Sequence, residues 1–128
     1  MHPRILVAMA REAQRYAYAP YSNFKVGAAI LTARGHVYSA ANVENASYGM
    51  SMCAERIAVF KAVAAGERRF QSIAIVGSGS GYTNPCGACL QVLAEFDAGI
   101  KIITANENDE YQEHYLNEIL TRNFLMQK

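Results

Sequence analysis

Residues 51–60 read SMCAERIAVF. Cys53 stands two residues before a carboxylate, Glu55, and three before Arg56, at the head of an apolar run. A buried structural cysteine needs neither charge. A nucleophilic thiol would be hindered by the nearby carboxylate, which disfavours its thiolate. A metal ligand can use both. The stretch also bears on the fold. Ile57, Ala58, Val59, Phe60, Ala62, Val63, Ala64 and Ala65 cover nearly the whole circumference of a helix from about Cys53 to Ala65, stopped by Gly66. A helix apolar all round is buried on all sides. One sheet cannot cover it in a chain of 128 residues, so the sequence predicts that a second subunit does.

Working outward, an N-terminal helix is predicted from about His2 to Tyr18. Its apolar stripe is Ile5, Leu6, Met9, Ala10, Ala13, Tyr16 and Ala17, with Pro20 helping to end it. Two strands follow, FKVGAAILTA (24–33) and HVYSAANVE (36–44), joined by a turn at Arg34-Gly35. After the Cys53 helix come a buried strand, FQSIAIVGS (70–78), a loop, GSGSGYTNP (77–85), and a helix from about Cys86 to Phe96. IKIITANE (100–107) and YQEHYLN (111–117) are the last two strands, and NEILTRNF (117–124) is a short helix or coil. The order αββαβαββ carries strand–helix–strand units whose crossovers are right-handed on a shared sheet. No repeat or linker interrupts it, so residues 1–128 form one domain.

The net charge is +1, and only Arg68 and Arg69 are adjacent among the basic residues. Nucleic-acid binding needs a concentrated basic face, so a small neutral ligand fits better than DNA or RNA. The N-terminus lacks the pattern of a signal peptide, and no apolar run reaches membrane-spanning length. Both point to a cytoplasmic protein with no membrane partner. Three cysteines, an odd number, argue against a disulfide framework. The Asn45-Ala46-Ser47 glycosylation pattern is then coincidental, and GSGSG (77–81) lacks the Gly-Lys-Ser/Thr of a phosphate loop.

All three cysteines fall at helix starts: Cys53 opens one, and Cys86 and Cys89 open the other within PCGAC (85–89). Helix N-termini favour thiolates. Cys-x-x-Cys places two sulfurs on one side of a first turn, half of a zinc site, and Cys53 supplies a third corner with the fourth left for water. A redox pair and three unrelated buried cysteines are the plainer alternatives. A structural zinc would need His2, His36 or His114 as fourth ligand, and none has a ligand-like spacing. Glu55 favours catalysis. Cys53-Ala54-Glu55 followed by Pro85-Cys86-Gly87-Ala88-Cys89 matches the zinc-deaminase arrangement of a ligand-x-Glu and a Pro-Cys-x-x-Cys. Three thiolates on zinc leave the water hard to ionise, so a neighbouring carboxylate must act as base. Arg56 is positioned to donate to the cysteine sulfurs and offset their charge.

With these residues in view, the chain resembles the small, zinc-dependent, homotetrameric cytidine deaminases. YAPYSNFKVGAAI (18–30), NVENASYG (42–49), CAER (53–56) and PCGACLQVLAEF (85–96) carry the resemblance over almost the whole length. It implies an α/β three-layer fold, a mixed five-stranded sheet with helices on both faces. It implies Zn2+ on Cys53, Cys86 and Cys89, with Glu55 as the catalytic base, and hydrolysis of cytidine and deoxycytidine to uridine and deoxyuridine plus ammonia in pyrimidine salvage. It implies that Phe24 stacks on the pyrimidine, that Asn42 and Glu44 bind the ribose 3′-hydroxyl, and that the Ala54 carbonyl and Cys86 amide read the base. Ala46 and Tyr48 of a neighbouring subunit would hold the 5′ end, and Tyr21 and Phe124 would complete a site shared within a homotetramer.

The resemblance breaks in two places. The family usually carries Arg after the last zinc cysteine, where this chain has Leu90. A lost positive charge there implies a shifted pH optimum, unless Leu90 merely repacks an interface. The tail ILTRNF (119–124) replaces a Leu-Leu-Pro-x-Ala-Phe pattern, which raises a second reading, a preference for N4-substituted cytidines. A non-catalytic zinc-stabilised oligomer is the third, and Glu55 argues against it.

Overall fold

A computed structural model of the chain describes residues 1–119. Helix α1 (Pro3–Gln14) is followed by strands β1 (Val26–Thr32) and β2 (Val37–Ala41) and a short 3-10 turn at Tyr48–Met50. Helix α2 (Ala54–Ala64), strand β3 (Phe70–Gly77), helix α3 (Gly87–Phe96), strands β4 (Lys101–Ala105) and β5 (Tyr111–Tyr115), and helix α4 (Leu116–Ile119) complete the order. The five strands form one sheet in the order β2-β1-β3-β4-β5. Only β3 and β4 are parallel, joined through α3; the other neighbours are antiparallel, so the sheet is mixed as expected.

Alternation along the strands makes the layers. Ala28, Ile30, Ile73, Ile75 and Ile102 point to one face and pack against Ala54, Ala58, Val59 and Ala62 of α2 and Leu93 and Ala94 of α3. Ala29, Leu31, Ala74, Val76 and Ile103 point to the other and pack against Leu6, Val7 and Ala10 of α1. The expected three-layer arrangement is therefore present. The two helices that carry the cysteines share one face. The turn between β1 and β2 is made by Gly35 at φ 89°, and α2 is stopped by Gly66 at φ 95°, both left-handed positions that favour glycine.

Three expectations are corrected. Helix α1 ends at Gln14, four residues short of Tyr18. The chain leaves the helix because Tyr18 is claimed by a backbone ladder: its N–H donates to Asn42 O at 2.9 Å and its carbonyl accepts from Glu44 N at 2.8 Å. The buried face of α1 is also narrower. It comprises Leu6, Val7, Ala10 and Ala13, while Ile5, Met9 and Tyr16 are exposed. These three flank the line that faces the sheet, and Val7, outside the expected stripe, lies on it. On α2, the expectation of burial all round holds on one face only in the single chain: Phe60 is 46% exposed, and Ala64 and Ala65 are exposed as well.

Candidate active site

The first turns of α2 and α3 build the centre. Cys53 and Cys86 are not the first helical residues, as expected from sequence, but the N-caps just before them, with extended backbones. An N-cap side chain lies beside the free amides of the first turn. Cys86 Sγ accepts from Cys89 N at 3.4 Å, which folds the Cys-x-x-Cys segment around its sulfurs. Because both helices pack on the same sheet face, their starts converge. Cys53 Sγ lies 4.0 Å from Cys86 Sγ, and Cys86 Sγ lies 3.3 Å from Cys89 Sγ. All three sulfurs fall within 4.8 Å of one another. Two thiolates on one tetrahedral zinc stand roughly 3.8 Å apart, from Zn–S bonds of about 2.3 Å. The trio fits Zn2+ in donor type and in spacing. Cys89 is buried, Cys53 half-buried and Cys86 exposed, so the cluster is closed behind and open in front. Among the described residues no histidine joins it. His36 instead meets Glu67 at 2.6 Å, and His2 caps α1.

The electrostatics follow from the packing. A hydrogen bond from Cys89 lowers the Cys53 thiol pKa to about 5, assisted by the Arg56 guanidinium against the opposing effect of burial. Donating that hydrogen raises the Cys89 thiol, as do burial and the charge of Glu55. Arg56 Nη2 donates to Cys53 Sγ at 3.2 Å, the contact expected from the sequence, and this bond raises the guanidinium pKa. Its Nε is buried with no hydrogen-bond partner among the described residues. Glu55, in the first turn of α2, is 4% exposed. Burial raises its carboxyl above the ordinary range, and the Cys53 charge adds to this; its own backbone amide, Cys89 and Arg56 oppose it. Among the described residues Glu55 has no ion-pair partner. Ala54 is fully buried beside it. Leu90 is half-buried and packs against the core under α2 and α3.

A second group of residues is tied to this centre by the backbone. Val43 pairs with Met52 in both directions, its N–H donating to Met52 O at 3.0 Å and its carbonyl accepting from Met52 N at 2.9 Å. Asn42 and Glu44 therefore flank a residue whose partner adjoins Cys53. Asn42 Oδ1 accepts from Val26 N at 2.9 Å, and its Nδ2 donates to Phe24 O at 3.0 Å. Glu44 Oε1 accepts from the amides of Tyr21 and Ser22 at 3.0 and 3.1 Å, and its Oε2 from Ser22 Oγ at 2.5 Å. Tyr21 meets the Tyr48 ring edge to face at 6.1 Å. Tyr21, Ser22, Glu44, Tyr48 and Ser51 line a depression of about 300 Å³. Ala46 and Tyr48 stand exposed on the 45–50 segment. Phe124, with Thr121 and Asn123, lies outside the described residues.

Two contributors escaped the sequence reading. Ser22 Oγ accepts from Phe24 N at 3.0 Å while donating to Glu44. A serine two residues before the amide it binds is a local turn signal and could have been found. The other is the contact made by the glycine-rich loop, which the sequence reads as a flexible loop near the pocket without naming what it touches. The loop packs against Phe24: a Cβ on Gly79 would sit 3.1 Å from Phe24 Cε1. That contact joins residues 24 and 79, and nothing local announces it.

Comparison with known proteins gives one answer. Residues 3–105 match the cytidine and deoxycytidylate deaminase zinc-binding region. A cytidine deaminase of Halalkalibacterium halodurans is 45% identical over 121 residues, 94% of this chain and 92% of that protein. One from Sporosarcina psychrophila is 50% identical over 94 residues, 73% of this chain and 69% of its own length. The crystal structure of cytidine deaminase from Burkholderia pseudomallei superposes with a TM-score of 0.92 at 44% identity, covering 95% of this chain and 98% of that one. Three thiols spaced for Zn2+, a buried glutamate beside them and this match through residues 3–105 agree: the chain belongs to the cytidine and deoxycytidylate deaminase family of zinc enzymes.

Proposed function

We propose that the chain hydrolyses the 4-amino group of cytidine and deoxycytidine, giving uridine or deoxyuridine and ammonia, with Glu55 as the proton-transferring residue. The observation that carries this is a buried carboxylate, without an ion-pair partner among the described residues, two positions from a metal-ligating cysteine. A structural zinc has no use for such a group. When bound, Zn2+ would supply a Lewis-acid position for water, weakened by the charge of three thiolates, which is why a neighbouring carboxylate is needed as base. Glu55 takes one proton from the attacking water and gives it to ring N3, then moves the second to the departing amino group as C4 gains oxygen and loses nitrogen. Cytidine and water thus balance with uridine and ammonia. Arg56 offsets the negative charge of the thiolates through its contact with Cys53.

Phe24 stacks on the pyrimidine, and the Ala54 carbonyl and Cys86 amide read its polar edge. Asn42 and Glu44 receive the sugar, with Tyr21 and Phe124 closing over it. Capacity on the polar pair is limited. One Nδ2 hydrogen of Asn42 goes to Phe24 and its Oδ1 accepts from Val26 N, which leaves it one donor and one acceptor site, while three donors already reach the Glu44 carboxylate and leave it about one acceptor site. One sugar hydroxyl suffices for both, which accords with use of ribose and deoxyribose alike. The working form is a homotetramer in which Ala46 and Tyr48 serve a neighbour's site, acting in pyrimidine salvage in the cytoplasm. The exposed 45–50 segment and the uncovered Phe60 support the assembly.

The test is release of ammonia from cytidine and deoxycytidine, with amine release from an N4-alkylated cytidine in parallel. Turnover of the first two is expected. Poor turnover of both with good turnover of the third would replace this reading with the N4-substituted one, and turnover of none would overturn it.

A further inference from the structure

The glycine-rich loop holds the Phe24 ring from behind. A Cβ on Gly77 would lie 2.8 Å from Phe24 Cζ and would overlap the Thr83 hydroxyl outright; one on Gly79 would lie 3.1 Å from Phe24 Cε1. The left-handed glycines are Gly35, Gly66 and Gly81, not these two. Positions 77 and 79 therefore use the missing side chain, not the freedom of the glycine backbone. The Phe24 main chain has little room to yield. Its N–H donates to Ser22 Oγ at 3.0 Å and its carbonyl accepts from Asn42 Nδ2 at 3.0 Å. The next amide, Lys25 N, donates to Ser78 Oγ at 2.9 Å, which fastens the loop itself to the segment that carries Phe24 into β1. With the backbone pinned on both sides, the ring can move only away from the loop, toward its open side; it is 38% exposed there.

We infer that Gly79, with Gly77 and Thr83, is a ledge that fixes the depth of the Phe24 ring and so the width of the slot left for a pyrimidine base. Gly79 is a positioning residue, and the inference rests on the proposed stacking role of Phe24. A methyl group at position 79 pushes the ring forward by a few tenths of an ångström and narrows the slot. Glycine at both positions leaves the ring at its deepest.

The experiment compares Gly79→Ala with Ser80→Ala, an exposed neighbour in the same loop, in protein carrying 4-fluorophenylalanine, with the Phe24 resonance assigned through Phe24→Leu. Gly79→Ala is expected to shift the Phe24 fluorine resonance and to raise KM for cytidine about 2- to 10-fold, the span of a lost aromatic pairing. kcat and zinc content should stay within twofold, and Ser80→Ala should change neither resonance nor KM. An unmoved resonance in Gly79→Ala overturns the ledge. A moved resonance with unchanged KM overturns its control of the slot. A moved resonance in a protein whose wild type deaminates no cytidine keeps the ledge and overturns the stacking role, so the two failures are separable.

Discussion

Glu44 shows how a residue can belong to a site and to its framework at once. Its carboxylate gathers the hydroxyl of Ser22 and the amides of Ser22 and Tyr21, and so holds the segment that presents Phe24. The Ser22 hydroxyl is the main cause of its lowered pKa, with the two amides adding to it and desolvation opposing. A carboxylate with a folded pKa below its ordinary 4.5 contributes stability that is fully present above that value and is lost as pH falls through the folded value. The melting temperature of Glu44→Gln should therefore lie below that of wild type near neutral pH, and the gap should close on acidification below the ordinary carboxylate range. Zinc loss in acid affects both proteins and drops out of the difference. Melting curves that stay parallel across the acid range would contradict this role. At this scale the pairing of Cys86 with Cys89 and the nearness of Glu55 to Cys53 were legible in the sequence because each spans at most three residues, whereas the approach of Cys53 to Cys86, 33 residues away, comes from two helices packing on one sheet face. Ser22 with Glu44, and Phe24 with Gly79, were not, because they are side-chain contacts between distant segments.

The elements were legible where hydrophobic periodicity dominates and misread where tertiary contacts compete with it. All five strands lie where alternation and apolar runs put them, and the Cys53 and Cys86 helices begin within one residue of expectation. The end of α1 was misread because helical periodicity continues through Tyr16 and Ala17, whereas the ladder to Asn42 and Glu44 takes Tyr18 out of the helix. How closely α1 approaches the sheet was also invisible. Gly27 on β1 sits directly beneath it: a Cβ there would overlap the Ala10 carbonyl oxygen and lie 2.8 Å from Gln14 N. Both are backbone atoms that cannot rotate away. Gly27→Ala should lift the helix and destabilise the fold by about 1–3 kcal/mol or more, as overpacking does. Zinc content should be unchanged, since the cysteines lie on the opposite face. Denaturant unfolding with metal analysis measures both, and an unaltered midpoint would show that α1 does not pack so tightly.

At the scale of the whole molecule, the sheet separates two tasks. The α1 face is closed over a core of its own, while the opposite face carries the zinc centre and the incompletely covered helices. Phe60, Val92 and Phe96 put apolar surface into an α2–α3 groove of about 350 Å³ that Gln91 and Glu95 also line. Apolar surface of this kind is a place for a second copy. Phe60→Glu should reduce the solution mass toward the 14.1 kDa of one chain while leaving the circular dichroism of the fold intact. A wild type that already sediments as a single chain would contradict the shared-site assembly. The central claim is that Glu55 moves protons and does not hold the metal. It is tested most directly by measuring zinc per chain and ammonia release from cytidine together, in wild type and in Glu55→Gln. Both proteins are expected to retain one zinc per chain, with turnover falling at least about 100-fold in the variant. Turnover at the wild-type rate in Glu55→Gln, or loss of zinc along with activity, would contradict it.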